Sequence, residues 1–361
     1  MMGSGTTIVT ARQRGYEAYG IDRDPLAVII ASAWSSDLHI GTFREESKEL
    51  LNLASNIARD LPQSEWYPPG ADEETRQFVR YWFDPKSRRQ LAALVHALRV
   101  ARFKTKRHLV VALSRMIITK QRGVSLAWDV SHSRPHRKFD VAPVSPFDFL
   151  PHTVEAVSRS VIFTHGSREP RAHARAGDCR DLSRFPNAHF HYIITSPPYL
   201  NAIDYLRGHK MTLVWLQRSI SHLSQLRSSN IGAEVGLADT RWDDVVDRML
   251  TYPEDTPIRL VNLCRRYASD LDKAIGEMAR VARPGASIVF VVGDCTIRGN
   301  RVRNSGALKY LAQRHGIEHI RVNRRALQTK RRYLPPPSNM TTAHTLKQRM
   351  REEVIISGYA A

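Results

Sequence analysis

The chain has 361 residues, enough for one large domain carrying an insertion or for two domains. Its 54 Lys and Arg against 35 Asp and Glu give a net charge of +19 and a pI near 10.2, a balance that favours a polyanionic partner. No apolar run approaches the roughly 18 residues of a membrane span, and the N-terminus lacks a signal-peptide pattern. Cys179, Cys264 and Cys295 lie far apart with no C-x-x-C pair, which excludes a disulfide framework and suits a reducing cytoplasm. Metal binding is also disfavoured: His132 and His136 stand four apart in a loop-like Ser-, Arg- and Pro-rich run, and no carboxylate or Cys completes a set.

From the N-terminus, Met2-Gly3-Ser4-Gly5-Thr6-Thr7 reads as a glycine turn opening a helix that Gly15 closes. A strand over 16–21 follows and ends in Asp22. Asp24 then caps a second helix with Pro25 at its first position, leaving Asp22 free for a ligand. Residues 39–170 are mostly helical by periodicity; Leu91, Leu94, Val95 and Leu98 recur at helical spacing, as do Leu109, Leu113, Met116 and Ile117. Between Lys120 and Pro151 the polar, basic and proline-containing sequence predicts a surface loop. This whole segment reads as an insertion.

The α/β pattern resumes at Ala176-Gly177-Asp178. A strand over 192–194 leads into Thr195-Ser196-Pro197-Pro198-Tyr199, and a long helix is expected over 260–281. Arg283-Pro284-Gly285 predicts a turn before 288–292, an unbroken apolar run of the kind found in a parallel strand covered on both faces. A helix over 305–314 and strands over 317–322 and 353–357 complete the pattern. The charge is concentrated: residues 99–138 and 296–333 each hold 11 Lys or Arg and one acid, and the other 283 residues net to −1. Two such stretches beside the two motifs favour phosphate contact.

Glycines at 3 and 5 let a ligand approach the backbone, and the following helix offers unpaired N–H groups and a positive dipole end. Asp22 lies 17 residues beyond Gly5, near the roughly 20 at which an acid grips ribose hydroxyls. Because the pattern is G-S-G-T-T and not G-x-G-x-x-G, a nucleoside cofactor without pyrophosphate is favoured over a dinucleotide. In Ser196-Pro197-Pro198-Tyr199 the two prolines fix φ and remove two N–H donors, leaving carbonyls without competing local bonds. With the Ser196 hydroxyl, such a carbonyl can accept from a planar –NH₂ group while Tyr199 offers a stacking face.

Together the two motifs resemble those of the S-adenosylmethionine-dependent DNA methyltransferases that modify exocyclic amino groups, whose patterns are F-x-G-x-G and (D/N/S)-P-P-(Y/F). The resemblance spans most of 1–36 and 175–357. It implies a class I methyltransferase fold: a doubly wound, mostly parallel α/β sheet with an antiparallel last strand and a largely helical insertion. The implied division is 1–38 as the first part of the methyltransferase domain, 39–170 as the target-recognition region, and 171–361 as the part carrying the catalytic motif. It implies S-adenosylmethionine held by Gly3, Gly5, Asp22, Asp178 and Thr195, and catalysis at Ser196, Pro197, Pro198 and Tyr199. Asp204 and Asp294 are second-tier site candidates.

Double-stranded DNA is the implied partner, met by Arg134, Arg137, Lys138, Arg331 and Arg332, with the target base flipped out to reach the pocket. Ser in place of Asp before the prolines resembles the cytosine-N4 group; adenine N6, an RNA substrate and a non-catalytic DNA-binding remnant are the alternatives. A restriction–modification or phage-type setting follows, with a cognate nuclease as partner. The ring-carbon route needs a Cys after a Pro, and none of the three Cys follows one. One departure stands out: in the family a buried strand leads into the glycine motif, whereas here Met1 lies inside it. The first central strand is therefore expected to be missing, or supplied by a partner chain.

Overall fold

Glycine and aspartate set the first turns as expected. In the computed structural model, Gly5 takes φ +87° and opens α1 (Thr6–Gln13), and Gly15 at φ +83° follows its end. Strand β1 (Ala18–Asp22) leads to α2 (Pro25–Trp34), whose first turn is capped by the Asp24 carboxylate accepting from the Leu26 and Ala27 N–H groups. The structure describes residues 1–132, 135–160, 171–200, 205–233, 238–297, 299–327 and 352–361. The chain divides into two units, one of residues 2–176 and 203–227, the other of Met1, 177–202 and 228–361.

The first unit is mainly helical. After α2 come α3 (Ile40–Asp60), α4 (Glu73–Trp82), α5 (Pro85–Val100) and α6 (Lys106–Ile117), then the short β2 (Ala127–Trp128) and β3 (His136–Arg137), and α7 (Pro146–Ser160). Strand β4 (Ala172–Ala176) pairs in parallel with β1, from Ala18 opposite Ala172 to Asp22 opposite Ala176. Helices α8 (Tyr205–Leu213) and α9 (Ile220–Ser228) complete it. Asp72 and Asp84 accept from the third-residue N–H groups of α4 and α5, so each amphipathic segment starts at an acid as the capping rules demand. Phe43, Leu50, Leu91, Leu94, Leu109, Leu113 and Trp215 form its fully buried centre. Each such side chain contributes roughly 1.5–3 kcal/mol on burial.

The segment expected as a surface loop differs. Val124, Leu126, Ala127 and Val130 are buried, and β2 pairs with β3 as an antiparallel hairpin. Four apolar side chains in seven residues outweigh the polar composition around them, because their burial in the helical core is worth more than local loop preference. Further on, Pro146 occupies the first position of α7 and Pro151 lies within it. The proline count that suggested loop instead marks a helix start.

The second unit is built on a four-stranded sheet in the order β5–β6–β10–β9, from β5 (Phe190–Thr195), β6 (Ala282–Val292), β9 (Ile317–Ala326) and β10 (Glu352–Ala360). β5 runs parallel to β6, and β10 is antiparallel to both β6 and β9, so the last strand has the expected direction. Among the described residues the strands of the expected single sheet are divided, β1 with β4 in the first unit and β5, β6, β10 and β9 in the second. Helices α10 (Asp243–Met249), α11 (Ile258–Val281) and α12 (Asn304–Arg314), with a hairpin of β7 (Cys295–Ile297) and β8 (Asn300–Val302), complete this unit.

Two expectations change here. Arg283-Pro284-Gly285 is no separate turn: it lies inside β6, where Gly285 at φ +76° accompanies a register shift against β5. A positive-φ glycine lets the ladder bulge without ending. Nor is the apolar run of β6 covered equally on both faces. Ile288, Phe290 and Val292 are buried, whereas Val289 and Val291 are only half-buried on the face that carries Tyr192 (64 % exposed), Ile194 (52 %) and Tyr359 (49 %).

Candidate active site

The glycine turn lies in the mainly helical unit. Gly3 (φ +58°) and Gly5 (φ +87°) both sit in the left-handed region, which a side chain resists. Their surroundings differ. A Cβ on Gly3 would meet open space, while one on Gly5 would come 2.6 Å from the Ala31 Cβ, so Gly5 is needed for α1 to pack on α2. Asp22, expected to be left for a ligand, accepts from the Gly3 N–H at 2.8 Å through Oδ2 and from the Asp24 N–H at 3.0 Å through Oδ1. It ties the turn to the end of β1. Each carboxylate oxygen retains a further lone pair, and the first N–H groups of α1 have no side-chain cap.

The remaining expected cofactor residues lie in the other unit. Thr195 ends β5, buried, with its hydroxyl 3.4 Å from the Met1 carbonyl. Asp178 is half-buried and accepts from its neighbour Arg180, from the backbone N–H at 3.0 Å and from the guanidinium at 2.7 Å. Arg180 also donates to Asp270 on α11 and to the Ser229 carbonyl. Those two carboxylates raise its affinity for its proton against the cost of burial. Sequence reasoning gave Arg180 and Asp270 no role; Asp270 is one of three half-buried acids on α11, and nothing in the local pattern sets it apart.

Ser196 to Tyr199 leave β5 in no regular structure, since two consecutive prolines cannot donate to a ladder. The exposed Ser196 hydroxyl donates to the Val291 carbonyl at 2.9 Å. Burial pushes the half-buried Tyr199 phenol upward, within the field of Glu353 and Arg325. Behind the loop, the Tyr267 hydroxyl donates to the Pro198 carbonyl at 2.8 Å, and the Leu200 N–H donates to Asn304 Oδ1 at 3.3 Å. Cys295 Sγ donates to the Leu200 carbonyl at 3.0 Å. Burial pushes the Cys264 and Cys295 thiols up to about 12, so both stay protonated and unreactive at neutral pH. Neither Tyr267 nor Asn304 announces itself in sequence, where one reads as a core aromatic and the other as a helix cap.

Asp294 is engaged at the start of α12, accepting from the Ser305 N–H at 2.9 Å and from its hydroxyl at 3.0 Å. Arg137 stacks on the exposed Tyr81 with its guanidinium 5.4 Å from the ring centre, and Lys138 Nζ lies 4.0 Å over Trp128. Arg134, Asp204, Arg331 and Arg332 lie outside the described residues. Among the described residues no group of three or more His, Cys, Asp or Glu could hold a metal, and no helix is long and apolar enough to cross a membrane.

No protein-family model matches the chain, and no curated protein matches it. Among solved structures it is similar to TTHA0409 of Thermus thermophilus, named "Putative DNA Modification Methylase". The selenomethionine form is 18 % identical over 51 % of this chain and 50 % of that one, with a TM-score of 0.25. The form complexed with S-adenosyl-L-methionine is 17 % identical over 51 % and 52 %, with a TM-score of 0.26. The matched region thus spans about half the length of those chains.

Proposed function

We propose that the chain transfers a methyl group from S-adenosylmethionine to an exocyclic amino group of a base in double-stranded DNA, with cytosine N4 favoured. The observation that carries this reading is the commitment of the Ser196 proton to the Val291 carbonyl at 2.9 Å. A hydroxyl whose hydrogen is already donated offers only lone pairs, so an incoming –NH₂ meets an acceptor. Accepting from that amino group raises electron density on its nitrogen. Tyr199 provides the ring face on which a flipped base stacks, and no covalent nucleophile is required.

S-adenosylmethionine supplies an electrophilic methyl on its sulfonium when bound. In this reading Gly3, Gly5 and the first N–H groups of α1 allow its close approach and Asp22 accepts from ribose hydroxyls, while Asp178 and Thr195 stay as cofactor candidates by the family resemblance alone. The open side of Gly3 and the remaining lone pairs of Asp22 fit that group. Residues 39–170 are the proposed target-recognition region, with Arg137 and Lys138, steadied on aromatic faces, as its phosphate-binding side chains.

The test is transfer of labelled methyl from S-adenosylmethionine to duplex DNA, followed by digestion and identification of the nucleoside. N4-methylcytosine supports the full reading, N6-methyladenine would move the target base, and cofactor binding without transfer to any nucleic acid would refute methyl transfer. For the DNA partner, Arg137→Ala with Lys138→Ala should reduce the slope of log affinity against log salt by about 0.9 for each phosphate that is no longer neutralised. An unchanged slope would make this hairpin a solvated surface only.

A further inference from the structure

Pro197 and Pro198 carry no N–H, so the strand that reaches Thr195 cannot extend its ladder through them, and the loop needs other anchors. The structure supplies them from buried side chains of the same unit. Tyr267 on α11, fully buried, donates to the Pro198 carbonyl at 2.8 Å. Asn304, with 0 % exposure, accepts from the Leu200 N–H at 3.3 Å and donates to the Gly293 carbonyl at 2.8 Å, bridging the loop to the segment that follows β6. The glycine at 232 allows this arrangement: a Cβ there would stand 3.2 Å from the Tyr267 ring and 3.5 Å from the Leu200 side chain.

We propose that Tyr267 and Asn304 are positioning residues for the catalytic loop, holding Pro198 and Leu200 from behind so that Ser196 and Tyr199 keep a fixed orientation. This deepens the methyl-transfer reading and rests on it for the kinetic part of its test. Neither side chain reaches solvent, so neither can touch a substrate, and their action passes through the loop. Packing alone would not ask for these residue types. A Phe at 267 fills the same space, but leaves the Pro198 carbonyl without the hydroxyl that donates to it. Such a carbonyl satisfies itself by turning to water, and the loop turns with it.

The test compares Tyr267→Phe and Asn304→Leu with Ile275→Val, a lesion in the same buried face of α11 but eight residues beyond Tyr267. Hydrogen exchange at the Tyr199 and Leu200 amides should speed by roughly 10-fold or more in the first two and stay at the wild-type rate in the third. In methyl transfer, kcat should fall roughly 10- to 100-fold in the first two with KM for both substrates nearly constant, as expected when reacting groups are misplaced by about 1 Å. Wild-type exchange at these amides in folded Tyr267→Phe and Asn304→Leu would overturn the proposal, as would an equal effect in Ile275→Val. If Asn304→Leu does not fold, Tyr267→Phe decides alone, since it keeps the ring. If the wild-type protein transfers no methyl group, the proposed function falls, and the exchange measurement still decides whether the loop is held in this way.

Discussion

The glycine turn and the Ser-Pro-Pro-Tyr loop are both short, irregular and placed at strand ends, yet they are held by different means. The glycine turn is fixed by groups within the first 24 residues: the φ values of Gly3 and Gly5, and an Asp22 carboxylate accepting two backbone N–H groups from residues 3 and 24. The second loop lacks donors at two positions and is held by side chains from α11, from the start of α12 and from β7, separated from it by 69 to 104 residues in sequence. A turn held locally tolerates change elsewhere in the fold. A loop held remotely depends on the helices behind it.

The largest expected effect lies on the remote side of this comparison. Tyr199→Ala should lower kcat about 100-fold, or ~2.7 kcal/mol, and leave cofactor affinity nearly constant, because the ring's partner exists only when a base is bound. Steady-state kinetics beside calorimetry separates the two quantities, and equal losses in both would break the division between the sites. Next in size, Asp22→Ala should weaken S-adenosylmethionine binding by about 1.5–3 kcal/mol. Calorimetric affinity unchanged in a folded variant would remove Asp22 from the cofactor site.

The glycine turn itself is sharpened by a pair of substitutions. Gly3→Ala meets open space and should cost only the left-handed strain of about 1–2 kcal/mol, whereas Gly5→Ala adds a clash with Ala31 and should cost visibly more in thermal melts. Equal costs would mean that α1 and α2 are not packed as closely as the 2.6 Å separation implies.

The effect that is absent at neutral pH concerns the thiols. Burial raises Cys264 and Cys295 from the ordinary 9.0 to about 12. The unfolded chain therefore loses these protons first, so their contribution is fully present below pH 9 and is lost as pH rises towards 12. Denaturant midpoints should fall through that window, and fall less in Cys264→Ala with Cys295→Ala compared at matched stability. Alkylation by iodoacetamide at neutral pH should also be slow until the protein unfolds.

Much of the local structure was legible because its causes are local. Asp24-Pro25 begins α2, Gly15 ends α1, and the apolar spacing of 91–98 and 109–117 gives α5 and α6, all through bonds and periodicities a few residues long. The Ser-Pro-Pro-Tyr run was visible for the same reason, since proline chemistry acts where proline stands. Tertiary structure decided the rest. Burial drew 124–130 into the helical core against its polar flanks, and a bulge at Gly285 merged an expected turn into β6. It also engaged Asp294 at α12, placed Arg180 between Asp178 and Asp270, and set Tyr267 and Asn304 behind the Ser-Pro-Pro-Tyr loop. Those hydrogen bonds join residues up to 104 positions apart. Composition and short-range pattern carry no record of which distant side chains share a core, because that pairing is fixed only when the sheet and helices close on one another.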